Sequence, residues 1–330
     1  MLLFRAATLL ALLAALSFPA LRRYAAGGTV AAPLLAQDLG GRAYVVTGAA
    51  SGIGWETAAQ LLRQHARVIV GVRNLTRSGA ALAALRAAAG ARGELTVLPL
   101  DLARLASVRA FAAGVLEAAP GGLAGLVGNA GVMMPPIPTA PTAEGLELHF
   151  GANYVGHWAL VQALTAALVA GAPSRIVLLS SRASEFARMD LPGVATRRVA
   201  HLLDGYRAYA DSKLAAVLHA RALAPRLAPR GVVALSVHPG VVRTALFRDV
   251  PLLGAHMELL LAPLTHSLFK SPWEGAQTSL FALLEPSLGE HAGAYLADCA
   301  VKINANPLAK DDALAQRLWA ETERLVGEVD

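Results

Sequence analysis

The sequence predicts an α/β protein: a doubly wound parallel sheet in a single domain, behind an N-terminal hydrophobic anchor. Three observations predict it. From residue 42 onward, short apolar runs alternate with longer helical stretches, the pattern of strands joined by crossover helices. A glycine-rich turn, Thr47-Gly48-Ala49-Ala50-Ser51-Gly52-Ile53-Gly54, follows the first such run. An almost wholly apolar stretch at 6–21 stands between Arg5 and Arg22-Arg23.

The elements follow in order. Residues 43–46 form a strand that ends in the glycine turn, and 53–64 a helix. Residues 67–72 form a second strand, apolar on both faces as a central parallel strand must be. An alanine-rich helix at 76–89 closes at Gly90. Residues 95–100 are the third strand, and 105–118 a helix stopped by Pro120-Gly121-Gly122. Then come strand 123–127, helix 153–170, strand 175–179, helix 209–227, strand 232–237, helix 273–284, a short strand at 293–296 and a terminal helix at 311–326. Right-handed crossovers bring the loops after the strands to one edge of the sheet. Two segments interrupt the alternation and read as substrate-side: a polar insertion at 182–208 and an apolar stretch at 250–269. Long loops beside a site are often lids. For the second stretch, a buried packing helix and a greasy substrate wall are equally open.

Residues 1–24 read as a membrane anchor, with a signal peptide as the alternative, and 25–39 as a linker before the 40–330 domain. The apolar run is short for a span of about 20 residues. Phe18-Pro19-Ala20 is a poor cleavage site, which favours the uncleaved anchor. Arg22-Arg23 after the run puts the domain on the cytoplasmic side.

Composition excludes several classes. The chain is too apolar, at 55% hydrophobic, to be disordered. The formal charge of +6 comes with no basic run longer than two and few aromatics, so no nucleic-acid partner is expected. A phosphorylated cofactor and a membrane surface suit it better. A single cysteine, Cys299, allows no internal disulfide. The histidines are scattered, and no metal site is expected.

Gly48, Gly52 and Gly54 lie where a strand turns into a helix. There the backbone must approach a dinucleotide closely, and the helix N-terminus attracts its diphosphate. Thr47, Ser51 and Ile53 belong to the same turn. After strand two the chain reads Val72-Arg73-Asn74, with no carboxylate for ribose hydroxyls. Arg73 can grip a 2′-phosphate with its fork, so the cofactor expected is NADP(H). Asp101 and Leu102, after strand three, are placed at the adenine ring. Gly128-Asn129-Ala130-Gly131, after strand four, offers a further close backbone approach.

Tyr209 and Lys213 stand one helical turn apart. A nearby ammonium favours phenolate and brings a tyrosine toward useful acidity. Ser180-Ser181 ends strand five, where a hydroxyl can hold a substrate oxygen in line with the phenol. Asn153 opens the preceding helix and is expected to hold a water that relays protons to Lys213. Together these residues describe hydride transfer between a nicotinamide and an alcohol or carbonyl.

At this point the chain resembles the short-chain dehydrogenase/reductase family over about residues 40 to 327. The resemblance rests on Thr47-Gly48-x-x-x-Gly52-x-Gly54, Asn129-Ala130-Gly131, Asn153, Ser181, Tyr209-x-x-x-Lys213 and Pro239-Gly240. It implies a Rossmann-type fold and a catalytic tetrad of Asn153, Ser181, Tyr209 and Lys213, with Ser181 chosen over Ser180. It also implies that the 239–244 loop, through Pro239, Gly240, Val242 and Thr244, holds the nicotinamide amide. Asn153-Tyr154-Val155-Gly156-His157 and His238-Pro239-Gly240-Val241-Val242 narrow the likeness to the retinol dehydrogenase group. That group implies NADP use and lipophilic alcohols or aldehydes: retinoids first, steroids or polyprenols as alternatives. An endoplasmic reticulum membrane follows as the expected location, with secreted and mitochondrial placement as lesser alternatives. The helices around Asn153 and Tyr209 are the candidate face for a homodimer. Two departures matter: Gly128 stands for the usual asparagine, and Trp55 for a basic residue that relatives often carry. The reading from another class is a membrane-bound nucleotide-sensing scaffold without turnover. A sugar-nucleotide epimerase fits the glycine spacing poorly.

Overall fold

The computed structural model describes residues 22–23, 25–133, 137–243 and 269–327. Nearly all of the 1–24 anchor, Thr244 and residues 250–268 of the apolar stretch lie outside the described residues. Among the described residues, no helix is long and apolar enough to cross a membrane.

Eight strands form one sheet in the order β3-β2-β1-β4-β5-β6-β7-β8. They are β1 Ala43–Thr47, β2 Arg67–Val72, β3 Glu94–Pro99, β4 Gly125–Gly128, β5 Ser174–Leu179, β6 Val232–His238, β7 Tyr295–Ala297 and β8 Ala300–Lys302. All pairs are parallel except β7 with β8. The order reverses between β1 and β4, and a crevice opens at their carboxyl ends, the place where such sheets bind ligands. The final hairpin strand β8 is not foreshadowed by the sequence pattern. It is three residues long and turns on Asp298 and Cys299, both at positive φ.

Besides a single helical turn at Ala32–Leu35, the helices are α1 Gly52–Arg63, α2 Gly79–Ala89, α3 Leu105–Ala118, α4 Gly156–Ala170, α5 Leu202–Leu227, α6 Pro272–Leu284 and α7 Asp312–Gly327. Alternate residues of the central strands feed two cores. Val46, Val70 and Leu235 pack with Leu62, Leu85 and Leu280 of α1, α2 and α6. Val45, Ile69 and Ala234 pack with Phe111, Leu164 and Leu223 of α3, α4 and α5. Each fully buried Leu or Val contributes about 1.5–3 kcal/mol, so both faces of the sheet must be covered.

Three differences from the sequence expectation have physical reasons. First, α5 starts at Leu202, seven residues early, where the Asp204 carboxylate accepts from the amide of the N-cap His201 at 3.3 Å. The 182–208 insertion is therefore partly helix. Its remainder folds onto α5, where Asp211 accepts from the amides of Arg188 and Met189 and pairs with Arg197 at 2.6 Å. Second, a π-helical turn, Phe150–Val155, precedes α4 and carries Asn153. Such turns are rare and are frequent at functional sites. Third, the 25–39 segment is tied to α1 and α6 at several points. Gln60 and Gln64 of α1 donate to the carbonyls of Leu34, Leu35 and Gln37, and Gln277 of α6 accepts from the amide of Val30. Arg22 pairs with Glu274 at the start of α6.

The candidate dimer face is also partly covered. Helix α7 packs against α5, burying Leu314, Ala315 and Leu318. Its Trp319 meets Trp158 of α4 edge-on and lies 4.2 Å beneath the guanidinium of Arg226.

Candidate functional site

The crevice holds a cleft of about 720 Å³ lined by the glycine turn, the ends of β2 and β3, the 129–133 loop, Tyr209, Lys213 and Pro239. Ser51, Ile53, Arg73, Asn74, Asp101, Leu102, Asn129, Ala130 and Gly131 all border it. A volume of this order fits a large organic ligand.

The glycines are required by contact. A Cβ on Gly48 would fall 2.8 Å from the Cα of Ala130, and one on Gly54 would fall 2.3 Å from Nδ2 of Asn129. Gly48 and Gly52 also take positive φ, which L side chains rarely adopt. The turn is thus packed flat against the 129–131 loop. Thr47 pins the same junction, since its Oγ1 accepts from the amides of Asn129 and Ala130, both at 2.9 Å.

His157 extends this network, although the sequence reading gave it no role. Its Nδ1–H donates to the carbonyl of Asn153 at 2.9 Å, which leaves Nε2 to accept from the Thr47 hydroxyl at 2.9 Å. Burial holds the ring neutral, with its pKa lowered to about 4. The π-turn and the glycine turn are thereby joined through one imidazole. A Cβ at Gly128 would come 3.1 Å from this ring. The ring's position accounts for a small residue there.

The side-chain amide of Asn153 is held by the neighbouring loop and by α5. Its Oδ1 accepts from the Val132 amide at 2.7 Å, and Nδ2 donates to Val132 O and Ser212 Oγ, both at 3.0 Å. The amide clamps the 130–132 loop beside Lys213.

The two serines separate cleanly. Ser180 Oγ donates to the carbonyl of Lys213 at 2.8 Å and is buried in structure. The Ser181 hydroxyl lies near the Tyr209 phenol and accepts from the Ala183 amide at 3.2 Å. Burial pushes Tyr209 up to about 12, partly offset by the nearby Ser181 hydroxyl. Lys213 is drawn down to about 8, also by burial. Its Nζ donates to Leu179 O at 2.9 Å and stands 5.6 Å from the Tyr209 ring. The Tyr209 phenol and the Lys213 amine therefore border the cleft, with the Ser181 hydroxyl near the phenol, where a proton can be delivered to an oxygen.

At the far end of the cleft, Arg73 and Asn74 are exposed, and so is Arg77, which the sequence reading passed over. Arg77 N donates to Asn74 Oδ1 at 2.9 Å, so both arginines border one turn. The signal was present as a second arginine four residues after the first. Asp101 uses its carboxylate to accept from the Ala103 amide. Val242 is buried and pairs with Lys270, while Gly240 takes φ +91°. Among the described residues, no group of His, Cys, Asp and Glu could hold a metal ion.

Comparison with known proteins agrees with this geometry. The family model for short chain dehydrogenase matches residues 42–252. Dehydrogenase/reductase SDR family member 13 of Homo sapiens is 41% identical over 296 residues, covering 88% of this chain and 74% of that one. Retinol dehydrogenase 12 of Bos taurus is 38% identical over 309 residues, covering 94% of this chain and 93% of that one. Among solved structures, an NAD(P) dependent gluconate 5-dehydrogenase from Beutenbergia cavernae, so titled and holding NADP at low occupancy, superposes with TM-score 0.59. It is 28% identical and covers 79% of this chain and 96% of that one.

Proposed function

We propose a specific activity for this chain, which belongs to the short chain dehydrogenase family: NADP(H)-dependent interconversion of a lipophilic alcohol and its aldehyde or ketone, retinol and retinal foremost. The family is one of NAD(P)(H) oxidoreductases acting on CH–OH groups, and this chain stands with its retinol dehydrogenase-like members. The observation that carries the reading is the placement of Tyr209 and Lys213 one helical turn apart on the border of the cleft, with Lys213 Nζ 5.6 Å from the Tyr209 ring.

The residues fit a bound dinucleotide. The glycine turn and the 129–131 loop would lie against its diphosphate, Arg73 and Arg77 against a 2′-phosphate, and Pro239, Gly240 and Val242 against the nicotinamide. When bound, the cofactor supplies the hydride. Tyr209 holds the proton that the substrate oxygen gains in reduction. Ser181 orients that oxygen toward the phenol. Lys213 lies close enough to favour phenolate when the proton leaves. The absence of a carboxylate after β2 supports NADP(H) over NAD(H), because an acid there would repel the extra phosphate.

The apolar 6–21 run supports an anchor, and we read the domain as cytosolic on the endoplasmic reticulum. The test is NADPH oxidation by the detergent-solubilised full chain with all-trans-retinal, with NADH as control. Turnover with NADPH and far less with NADH is expected. Equal rates with both cofactors would overturn the NADP reading. Turnover of steroid ketones or polyprenals but not retinal would move the substrate within the lipophilic class. NADPH binding with no turnover across all three classes would leave a nucleotide-sensing scaffold.

A further inference from the structure

The chain has four lysines, and only Lys213 and Lys270 are buried. Burying an ammonium is costly unless a partner holds it. Lys213 belongs to the site above. Lys270 stands apart from it in sequence but runs beneath the 239–243 loop.

Its main chain pairs with that loop: the amide donates to Val241 O at 2.8 Å, and the carbonyl accepts from Arg243 N at 3.0 Å. Its side chain underlies the turn itself. A Cβ on Gly240 would lie 2.7 Å from both Cδ and Cε of Lys270. Beyond the turn, Nζ donates to Asp298 Oδ1 at 2.6 Å. Asp298 and Cys299 are consecutive non-glycine residues at φ +50° and +54°. Adjacent left-handed residues are strained and persist where their surroundings demand them.

The N-terminal segment closes the arrangement. A Cβ on Gly27 would lie 2.2 Å from Asp298 Oδ1 and 2.5 Å from Lys270 Nζ. One on Gly28 would lie 2.1 Å from Asp298 O. Only glycine lets the backbone cross this close. A line of contacts therefore runs from the residues that follow the apolar run, through the ion pair, to the turn at Gly240.

We infer that Lys270 and Asp298, crossed closely by Gly27-Gly28, are a positioning device for the 239–243 loop, so that the N-terminal segment is a working part of the cofactor site. The inference rests on the proposed reading that this loop holds the nicotinamide end. A salt bridge kept only for stability would have a weak rationale, since a packed apolar chain of similar length serves as well. Direction is what the charge adds: it fixes where the lysine methylenes lie, and the glycine turn rests on them.

The experiment measures dissociation constants of NADPH and of 2′,5′-ADP, which lacks the nicotinamide half. It uses the full chain in detergent as wild type, Lys270→Met, Asp298→Asn, the double variant and Gly28→Val. Lys270→Met keeps the methylene packing and removes only the charge. Each single variant should weaken NADPH roughly tenfold, the size of one lost charge-assisted hydrogen bond. The same variants should leave 2′,5′-ADP within about twofold, and the double variant should be no worse than either single one. Circular dichroism confirms folding, and Gly28→Ala replaces Gly28→Val if the latter does not fold. Unchanged NADPH affinity in folded variants, or equal weakening of both ligands, overturns the inference. A wild-type chain that binds neither NADPH nor NADH overturns the proposed function, and the inference falls with it.

Discussion

His157 gives the sharpest test of how the site is held together. It is 4% exposed, and its pKa lies at about 4 instead of the ordinary 6.5. A histidine with a lowered folded pKa takes up its proton first in the unfolded chain. Stability is therefore intact above pH 6.5 and falls as the pH drops toward 4. At 1.36 kcal/mol per pH unit, His157 alone removes about 2 kcal/mol between pH 6.5 and 5. The structure supplies the reason. A proton on Nε2 would face Thr47 Oγ1, which already accepts two amides. His157→Gln removes this titration and both hydrogen bonds, each worth about 1 kcal/mol. The variant should be less stable than wild type by about 2 kcal/mol at pH 7, and the gap should close by about 2 kcal/mol at pH 5. Urea unfolding followed by tryptophan fluorescence at the two pH values measures it. Parallel curves, with a constant gap, would refute the neutral buried imidazole and the link it makes between Thr47 and Asn153.

Four shorter predictions accompany it. Tyr209→Phe should lower kcat by about 10²–10⁴ while NADPH still binds, as fluorescence titration will report. Arg73→Ala and Arg77→Ala should each cut the NADPH-to-NADH ratio of kcat/KM about tenfold, the lower end for a charge-assisted contact at an exposed site. Gly54→Ala should abolish measurable cofactor binding by calorimetry, because its Cβ would displace Asn129 and with it the 129–131 loop. Trp319→Ala should cost about 3 kcal/mol, read as a shift in the urea midpoint. It should also raise self-association in analytical ultracentrifugation by baring the α4–α5 face.

What could be read from the sequence was local. The glycine turn, the Tyr209–Lys213 spacing and the Ser180-Ser181 pair each lie within one turn or one strand end, so their chemistry shows in adjacent letters. The strand order follows from the βαβ alternation, which admits few topologies. The early start of α5 escaped because His201 is an uncommon cap, and β8 escaped because three residues carry no period. His157, Lys270 and the Gly27-Gly28 crossing escaped for a different reason. Their partners lie 110, 28 and about 270 positions away in sequence. No local pattern distinguishes a histidine that bridges two loops from one that fills a core.

The electrostatics of the site bear on its pH dependence. Burial raises Tyr209 to about 12 and lowers Lys213 to about 8, so the same cause pushes both toward their neutral forms. At neutral pH the phenol carries its proton and the amine is still charged. In that state Tyr209 can give a proton away, as carbonyl reduction requires. Oxidation requires the phenolate, which the protein alone disfavours and which Lys213 supports only while charged. The two groups titrate as a pair, and a pH profile reports their joint values. Reduction should stay near its maximum from pH 6 to 7, whereas oxidation should climb with pH before Lys213 discharges. In Lys213→Met the climb should move to higher pH, because the phenolate then lacks its neighbouring charge. An oxidation profile with the same midpoint in wild type and Lys213→Met would mean that Tyr209 is tuned by something other than this lysine.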